Sequence, residues 1–84
     1  MTTIQVRVAY FALARDLAGK HEEDVTLTGS ADLTLLMDTV MSVHPKLGGI
    51  RPIIRALVNG LVVLGNVGLR DGDHVALLPA VGGG

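Results

Sequence analysis

Three histidines are the side chains in this sequence best suited to bind a metal or move a proton. His21 falls in a charged segment, His44 at a predicted helix end and His74 at the start of a predicted strand. None has a second ligand-type residue four positions away, the spacing that sets two metal ligands on one helix face. We therefore interpret all three as exposed or capping residues and predict no metal site.

The acidic residues give no catalytic pattern either. Glu22, Glu23 and Asp24 form a run that predicts a solvated loop, because a general acid–base pair needs a pocket that shifts its pKa values. Asp71 and Asp73 flank Gly72 in a predicted turn, and Asn59 precedes a glycine in another. Such residues favour turns for backbone reasons alone. The interior of the chain thus contains no convincing nucleophile, base or metal set.

The last six residues, Pro79–Gly84, suggest a different chemistry. The segment is Pro79-Ala80-Val81-Gly82-Gly83-Gly84, which has almost no side-chain bulk. Extended, six residues reach about 20 Å. Glycine lacks a Cβ, so such a backbone enters narrow slots. The group presented at the end is the carboxylate of Gly84, which suits a protein processed at this end by another enzyme; a frayed polar terminus is the alternative.

Composition excludes several classes of protein. The 84 residues contain no cysteine, seven basic and eight acidic side chains, and a net charge of -1. Disulfides, cysteine–zinc sites and thiol nucleophiles are therefore excluded. The charge balance does not predict nucleic-acid or polybasic membrane binding. We predict one small, soluble, cytoplasmic domain over residues 1–84, with Pro79–Gly84 as a flexible tail.

Hydrophobic periodicity predicts five strands and one main helix. Alternating apolar residues predict strands at 4–11, 25–28, 54–58, 61–64 and 74–78. A short helix is predicted over 12–18 before Gly19. The main helix has apolar residues at 33, 36, 37, 40 and 41, with Ser30 as the N-cap and Pro45 after its end. Residues 46–52 are predicted to form a loop, and Asn59-Gly60 a hairpin turn.

This order, ββαβββ, predicts an α+β domain in which one main helix packs across one mixed sheet. The natural closure places the first and last strands side by side in the middle of the sheet, in parallel. Strands one and two are expected to be antiparallel neighbours.

The whole chain resembles a family of ubiquitin-like sulfur carriers, that of the small subunit of molybdopterin synthase. The resemblance lies in the order and spacing of short pieces and in a Gly-Gly ending. The pieces are Val6–Phe11, Ala14–Gly19, His44-Pro45, Leu57–Gly60, Leu69–Val75, Leu78–Val81 and Gly83-Gly84. Members of this family have the ubiquitin-like β-grasp fold, so the resemblance implies the strand arrangement inferred above.

The resemblance also implies a reaction cycle in which the chain is a co-substrate and not itself a catalyst. A ubiquitin-activating-type adenylating enzyme uses ATP to convert the Gly84 carboxylate to an acyl-adenylate. A sulfur donor enzyme then replaces AMP, which leaves a thiocarboxylate. The tail inserts into the large synthase subunit, in a heterotetramer, and gives its sulfur to a pterin precursor for molybdenum cofactor biosynthesis. No cofactor is expected to be bound by the chain itself.

Two departures from the family pattern leave the acceptor of the sulfur open. The family usually has Pro-Pro before the tail and Ser or Thr before Gly-Gly; here Pro79-Ala80 and Gly82 stand there. Related carriers serve cysteine, thiamine or transfer-RNA thiolation. A ubiquitin-like interaction module with an inert tail, or conjugation to other proteins, is the further alternative.

The β-grasp fold implied by the resemblance leaves one sheet face for a partner. Phe11, Leu64 and Leu78 are candidates for an exposed apolar patch near the tail, since exposed patches mark interfaces; filling of a small satellite core is the alternative. Arg15, with Arg7 and Arg70, is a candidate for pairing with acidic groups on the adenylating enzyme.

Overall fold

A five-stranded mixed sheet forms one layer of the molecule in the computed structural model, which describes residues 2–80. The strands are β1 (Thr3–Tyr10), β2 (Glu22–Thr28), β3 (Ile54–Val58), β4 (Leu61–Val63) and β5 (His74–Pro79), in the order β2-β1-β5-β3-β4. β1 and β5 are parallel neighbours, and the other pairs are antiparallel. The predicted fold class, strand order and central parallel pair are therefore confirmed.

Two helices connect the strands much as predicted. α1 (Leu13–Ala18) ends at Gly19, whose φ of 77° places it in the left-handed region that glycine adopts most easily. α2 (Leu33–Val43) crosses one face of the sheet. Its N-cap is Asp32 and not Ser30, because the Asp32 carboxylate accepts a hydrogen bond from the Leu35 amide at 2.8 Å.

Two further boundaries differ from the sequence predictions. Residues Pro45–Ile53 form a 3₁₀ helix where a loop was expected. β2 begins at Glu22, because residues 22–24 pair with 7–9 of β1. The acidic run therefore belongs to a strand, and the prediction of a solvated loop is wrong.

The hydrophobic core lies between α2 and one face of the sheet. Every second residue of β1 and β5 faces it, as the period of two requires. The largest fully buried side chains are Tyr10, Leu36, Leu47, Leu77, Val6, Val8, Val40 and Val75. Among residues 2–80, every buried side-chain nitrogen or oxygen has a hydrogen-bond partner.

The β3–β4 hairpin turns at Asn59-Gly60, as predicted. Both residues have positive φ, 51° and 85°, which fits a type I′ turn. The Asn59 side chain also donates to Asp73 at 3.0 Å and accepts from the His74 amide at 2.9 Å. The turn is thus bonded to the start of β5. Within residues 2–80, no helix has the length and apolarity needed to cross a bilayer.

Candidate functional site

The chain leaves the sheet at Pro79 and Ala80, the first two residues of the predicted tail. Pro79 pairs with Ile54 of β3, and the Ala80 amide donates to the Ile53 carbonyl at 2.6 Å. Both residues are half-buried. The backbone is therefore held to the domain through Ala80. The other predicted tail residues, Val81, Gly82, Gly83 and Gly84, lie outside the described residues.

The sheet face opposite α2 carries an apolar surface next to this point. We call it the open face and define it by Ala9, Phe11, Leu57, Ala76 and Leu78. Four of these, all except Leu78, line a cavity of about 220 Å³. Phe11, the single phenylalanine of the chain, is 46% exposed on this face. Phe11 adjoins the other apolar residues of the open face, and a continuous exposed apolar surface is typical of a protein-binding site.

Of the three apolar candidates, two lie together at the tail end of this face. Tyr10 pairs with Leu77, so the next residues, Phe11 and Leu78, lie at neighbouring register positions on the open face. Leu64 follows β4 and is 87% exposed. It lines a different groove, beside α2, so it does not share the cavity that Phe11 lines.

The three arginine candidates differ in their surroundings. Arg7 is already paired within the chain, with Glu22 and with Asp24 at 3.1 Å. These hydrogen bonds raise the pKa of its guanidinium, Glu22 contributing most. Arg15 is exposed and lines a shallow pocket with Lys20 and His21. The expectation that Arg7 is free to meet a partner must therefore be corrected, whereas Arg15 and Arg70 lie exposed.

A polar cluster that the sequence did not predict joins β1, β2 and the end of α2. The Tyr10 hydroxyl donates to Glu23 Oε2 at 2.5 Å, and His44 Nε2 lies 2.5 Å from the same oxygen. The His44 ring also meets Tyr10 edge to face, with 5.6 Å between centroids. Lys20 Nζ lies 3.4 Å from the other Glu23 oxygen. Glu23 and His44 are thus structural residues. The prediction that Glu23 lies in a solvated loop is wrong, and the interpretation of His44 as an exposed or capping residue is incomplete.

The electrostatics of this cluster follow from its burial. Burial and the nearby Glu23 carboxylate both raise the pKa of the Tyr10 hydroxyl. Burial alone would raise the pKa of Glu23, but the hydrogen bonds from Tyr10 and His44 outweigh it and lower that pKa. The cluster therefore holds a neutral tyrosine against a charged carboxylate.

The remaining acidic candidates have turn and cap roles. Asp73 accepts from Asn59 and from the Arg70 amide at 2.7 Å, and these bonds lower its pKa. Asp71 accepts from the Gln5 amide at 2.8 Å. Within residues 2–80, no three His, Cys, Asp or Glu side chains form a group able to hold a metal ion.

Comparison with known sequences gives a consistent picture. The sequence pattern of the ThiS family matches residues 8–84. A molybdopterin synthase sulfur carrier subunit of Chlamydomonas reinhardtii is 31% identical over 83 residues, covering 96% of this chain and all of that protein. Proteins of the same name from Mycobacterium tuberculosis and Homo sapiens are 30% and 31% identical and cover 96% and 95% of this chain, with 99% and 94% of their own lengths.

Solved structures agree in fold. A putative molybdopterin converting factor subunit 1 of Pyrococcus furiosus has a TM-score of 0.83 and 31% identity, covering 93% of this chain and 99% of that one. SAMP1 of Haloferax volcanii has a TM-score of 0.80 and 26% identity over 95% and 99% of the two chains. A chain in the complex of subunits 1 and 2 of the molybdopterin-converting factor of Helicobacter pylori has a TM-score of 0.66 and 26% identity, over 96% and 100%.

Proposed function

This chain belongs to the ThiS family, and on that premise we propose that it is the sulfur carrier subunit of a molybdopterin synthase. One observation carries the proposal: three proteins of that name are about 30% identical to it over nearly their whole lengths. The Gly83-Gly84 pair belongs to the family resemblance described above. That this reaction takes place in the cytoplasm stays a prediction.

The chemistry would take place on the Gly84 carboxylate. A carboxylate is a poor electrophile, so a partner enzyme would first join it to the AMP of ATP and release pyrophosphate. A sulfur donor would then displace AMP and leave a thiocarboxylate, which is a good nucleophile at neutral pH. Gly82–Gly84 suit this role because residues without a Cβ fit a narrow active-site channel.

The large synthase subunit would receive this tail. The Helicobacter pylori structure, a complex of subunits 1 and 2, supports such a partner. Pro79 and Ala80 fix where the tail leaves the sheet, and the open face lies beside that point. We propose that Phe11 and Leu78 contact the large subunit, and that Arg15 pairs with an acidic group of the adenylating enzyme.

The decisive experiment is a stepwise reconstitution. The chain is incubated with ATP, an adenylating enzyme and a sulfur donor, and the C-terminal peptide is examined by mass spectrometry. The peptide must be resolved because replacing oxygen by sulfur changes the mass almost as much as oxidising one of the three methionines. The modified chain is then mixed with the large subunit and the pterin precursor.

Two variants control this experiment. A chain lacking Gly84 and a chain with one alanine added after Gly84 should both fold and lose sulfur transfer. A thiocarboxylate on Gly84 that converts the pterin precursor supports the proposal. A thiocarboxylate that serves only cysteine, thiamine or transfer-RNA thiolation overturns the choice of acceptor. An unmodified tail overturns the carrier role and favours an interaction module.

A further inference from the structure

The two edges of the sheet differ sharply in the side chains they expose. The β2 edge exposes Glu22, Asp24 and two threonines. At the opposite edge of the sheet, β4 exposes Leu61 and Val62, which are 73% and 64% accessible. Proteins usually protect an edge strand with charges, because its free N–H and C=O groups otherwise pair with another chain. The β4 edge has no such protection in its own side chains.

An apolar groove runs beside this edge, between β4 and α2. We call it the β4 groove; it is lined by Leu33, Met37, Ile54, Ala56, Val63 and Leu64, with a volume of about 300 Å³. Its floor is rigid, since three of these residues are core residues at 7–9% exposure. The volume lies at the small end of ligand pockets, so it suits one or two side chains better than a bulky cofactor.

A positive charge lies next to the groove, on the other face of the sheet. Arg55 contributes to the groove lining and is exposed, but it pairs with Leu78, so its side chain lies on the open face. Within residues 2–80, no carboxylate lies within 4 Å of its guanidinium, whereas the nearby Arg51 is bound to Asp38 at 2.8 Å. Successive side chains of a strand point to opposite faces, so a segment along β4 that places one residue in the groove can place an acidic residue near Arg55 on the open face.

We propose that β4 binds an extended segment of a partner protein as a sixth strand. One bulky apolar side chain of that segment fills the β4 groove, and an acidic residue faces Arg55. Strand addition of this kind takes its affinity from main-chain hydrogen bonds and its specificity from alternate side chains. Pairing of two β4 edges from two copies fits less well, because β4 is Leu-Val-Val and offers no acidic side chain to Arg55.

The test uses the full chain and short synthetic peptides, followed by NMR. The probes are acetylated Glu-Val-Xaa-Val-Thr-Glu peptides with Phe, Leu or Tyr at Xaa. Controls replace both glutamates by lysine, or one valine by proline, which cannot complete a strand ladder. We expect saturable shifts at the amides of Leu61–Leu64 and at the methyl groups of Leu33 and Met37. The lysine and proline peptides should bind about tenfold more weakly or worse.

Two variants locate the site. Arg55→Glu should reverse the preference between the acidic and lysine peptides, and Leu64→Lys should abolish the shifts. Both positions are exposed, so in both variants the NMR signals of the core residues should match those of the native chain. Leu13→Lys, on α1 and 45% exposed, is the matched control and should bind normally.

Three outcomes would overturn the proposal. The first is no saturable binding of any probe, and the second is equal binding by the native chain and Arg55→Glu. The third is a concentration-dependent dimer of the free chain with protected β4 amides, which would identify a second copy as the occupant. The proposal is independent of the sulfur carrier function, so loss of sulfur transfer in the reconstitution does not affect it.

Discussion

The β1–β2 and β3–β4 hairpins stand at opposite edges of one sheet and differ in how they are held. β1 and β2 align over seven residue pairs, and Arg7 bonds both Glu22 and Asp24 across them. β3 and β4 align over three pairs. Within residues 2–80, no ion pair joins β3 to β4.

This difference indicates which hairpin stabilises the domain and which is free to bind a partner. The β1–β2 hairpin uses its charged side chains on one another and on His44, so these charges are already paired within the chain. The β3–β4 hairpin is fixed by its turn and by two core residues, Ile54 and Ala56, and leaves its outer leucine and valine in water. We infer that the first hairpin stabilises the domain and that the second is the one kept free to bind.

The largest effect on stability is expected from Tyr10→Ala. Tyr10 is 2% exposed, and the change removes both its ring and its bond to Glu23. By analogy with other large aromatic deletions, we expect a loss of about 3–5 kcal/mol in the free energy of unfolding. Urea denaturation followed by circular dichroism measures it. A loss below about 1 kcal/mol would contradict the stabilising role of this hairpin.

The next test compares two neighbouring acids. Glu23→Ala leaves the Tyr10 hydroxyl buried without its partner, which should cost about 1–3 kcal/mol. Glu22→Ala removes only an exposed ion pair with Arg7, which should cost about 0–1 kcal/mol. The two variants are measured side by side by urea denaturation. Equal losses would show that the Tyr10–Glu23–His44 cluster adds nothing beyond surface charge.

A third test follows the same cluster with pH. Its hydrogen bonds hold the pKa of Glu23 below the unfolded value, which is about 4.3. The resulting stability is therefore fully present above that pH and is lost as the pH falls through the lower native pKa. We expect the urea midpoint to fall on acidification and Glu23→Ala to flatten the fall. A remaining slope should come from Asp32 and Asp73, whose pKa values are also lowered; an unchanged slope in Glu23→Ala would contradict the assignment.

The smallest effect is expected at the other edge. Leu61→Thr changes a side chain that is 73% exposed and keeps a residue suited to strands. The free energy of unfolding should change by no more than about 0.5 kcal/mol. Differential scanning calorimetry of the variant and the native chain would detect more. A loss near that of Glu23→Ala would show that β4 stabilises the domain after all.

Local patterns were sufficient to predict most of the fold. The alternation in β1, the apolar face of α2 and the Asn59-Gly60 turn each depend on neighbours within a few residues. The helix start was misplaced because Ser30 and Asp32 are both good caps. Asp32 is also bonded to Asn66, 34 residues away, and no local pattern shows that contact. The 3₁₀ helix was missed because Gly48, Gly49 and Pro52 are typical of loops.

The site was harder to predict because its parts are distant in sequence. The Tyr10 hydroxyl and His44 meet Glu23 from positions 13 and 21 residues away, and no local signal marks this meeting. Phe11 and Leu78 were named from the family resemblance, and whether they bind a partner stays a prediction. The β4 groove was missed because it forms between β4 and α2. Predicting it requires knowing that β4 is an edge strand and where α2 lies on the sheet.

The parallel pairing of β1 with β5 has a consequence for the order of events during synthesis. The amide of Gln5 is bonded to a carboxylate 66 residues later, so the centre of the sheet closes only after β5 has been made. Contacts of such long range slow folding. A nascent chain that ends before β5 presents the unpaired apolar edges of β1 and β3 to chaperones and proteases. A chain truncated before β5 therefore leaves both edges open to pairing with other chains.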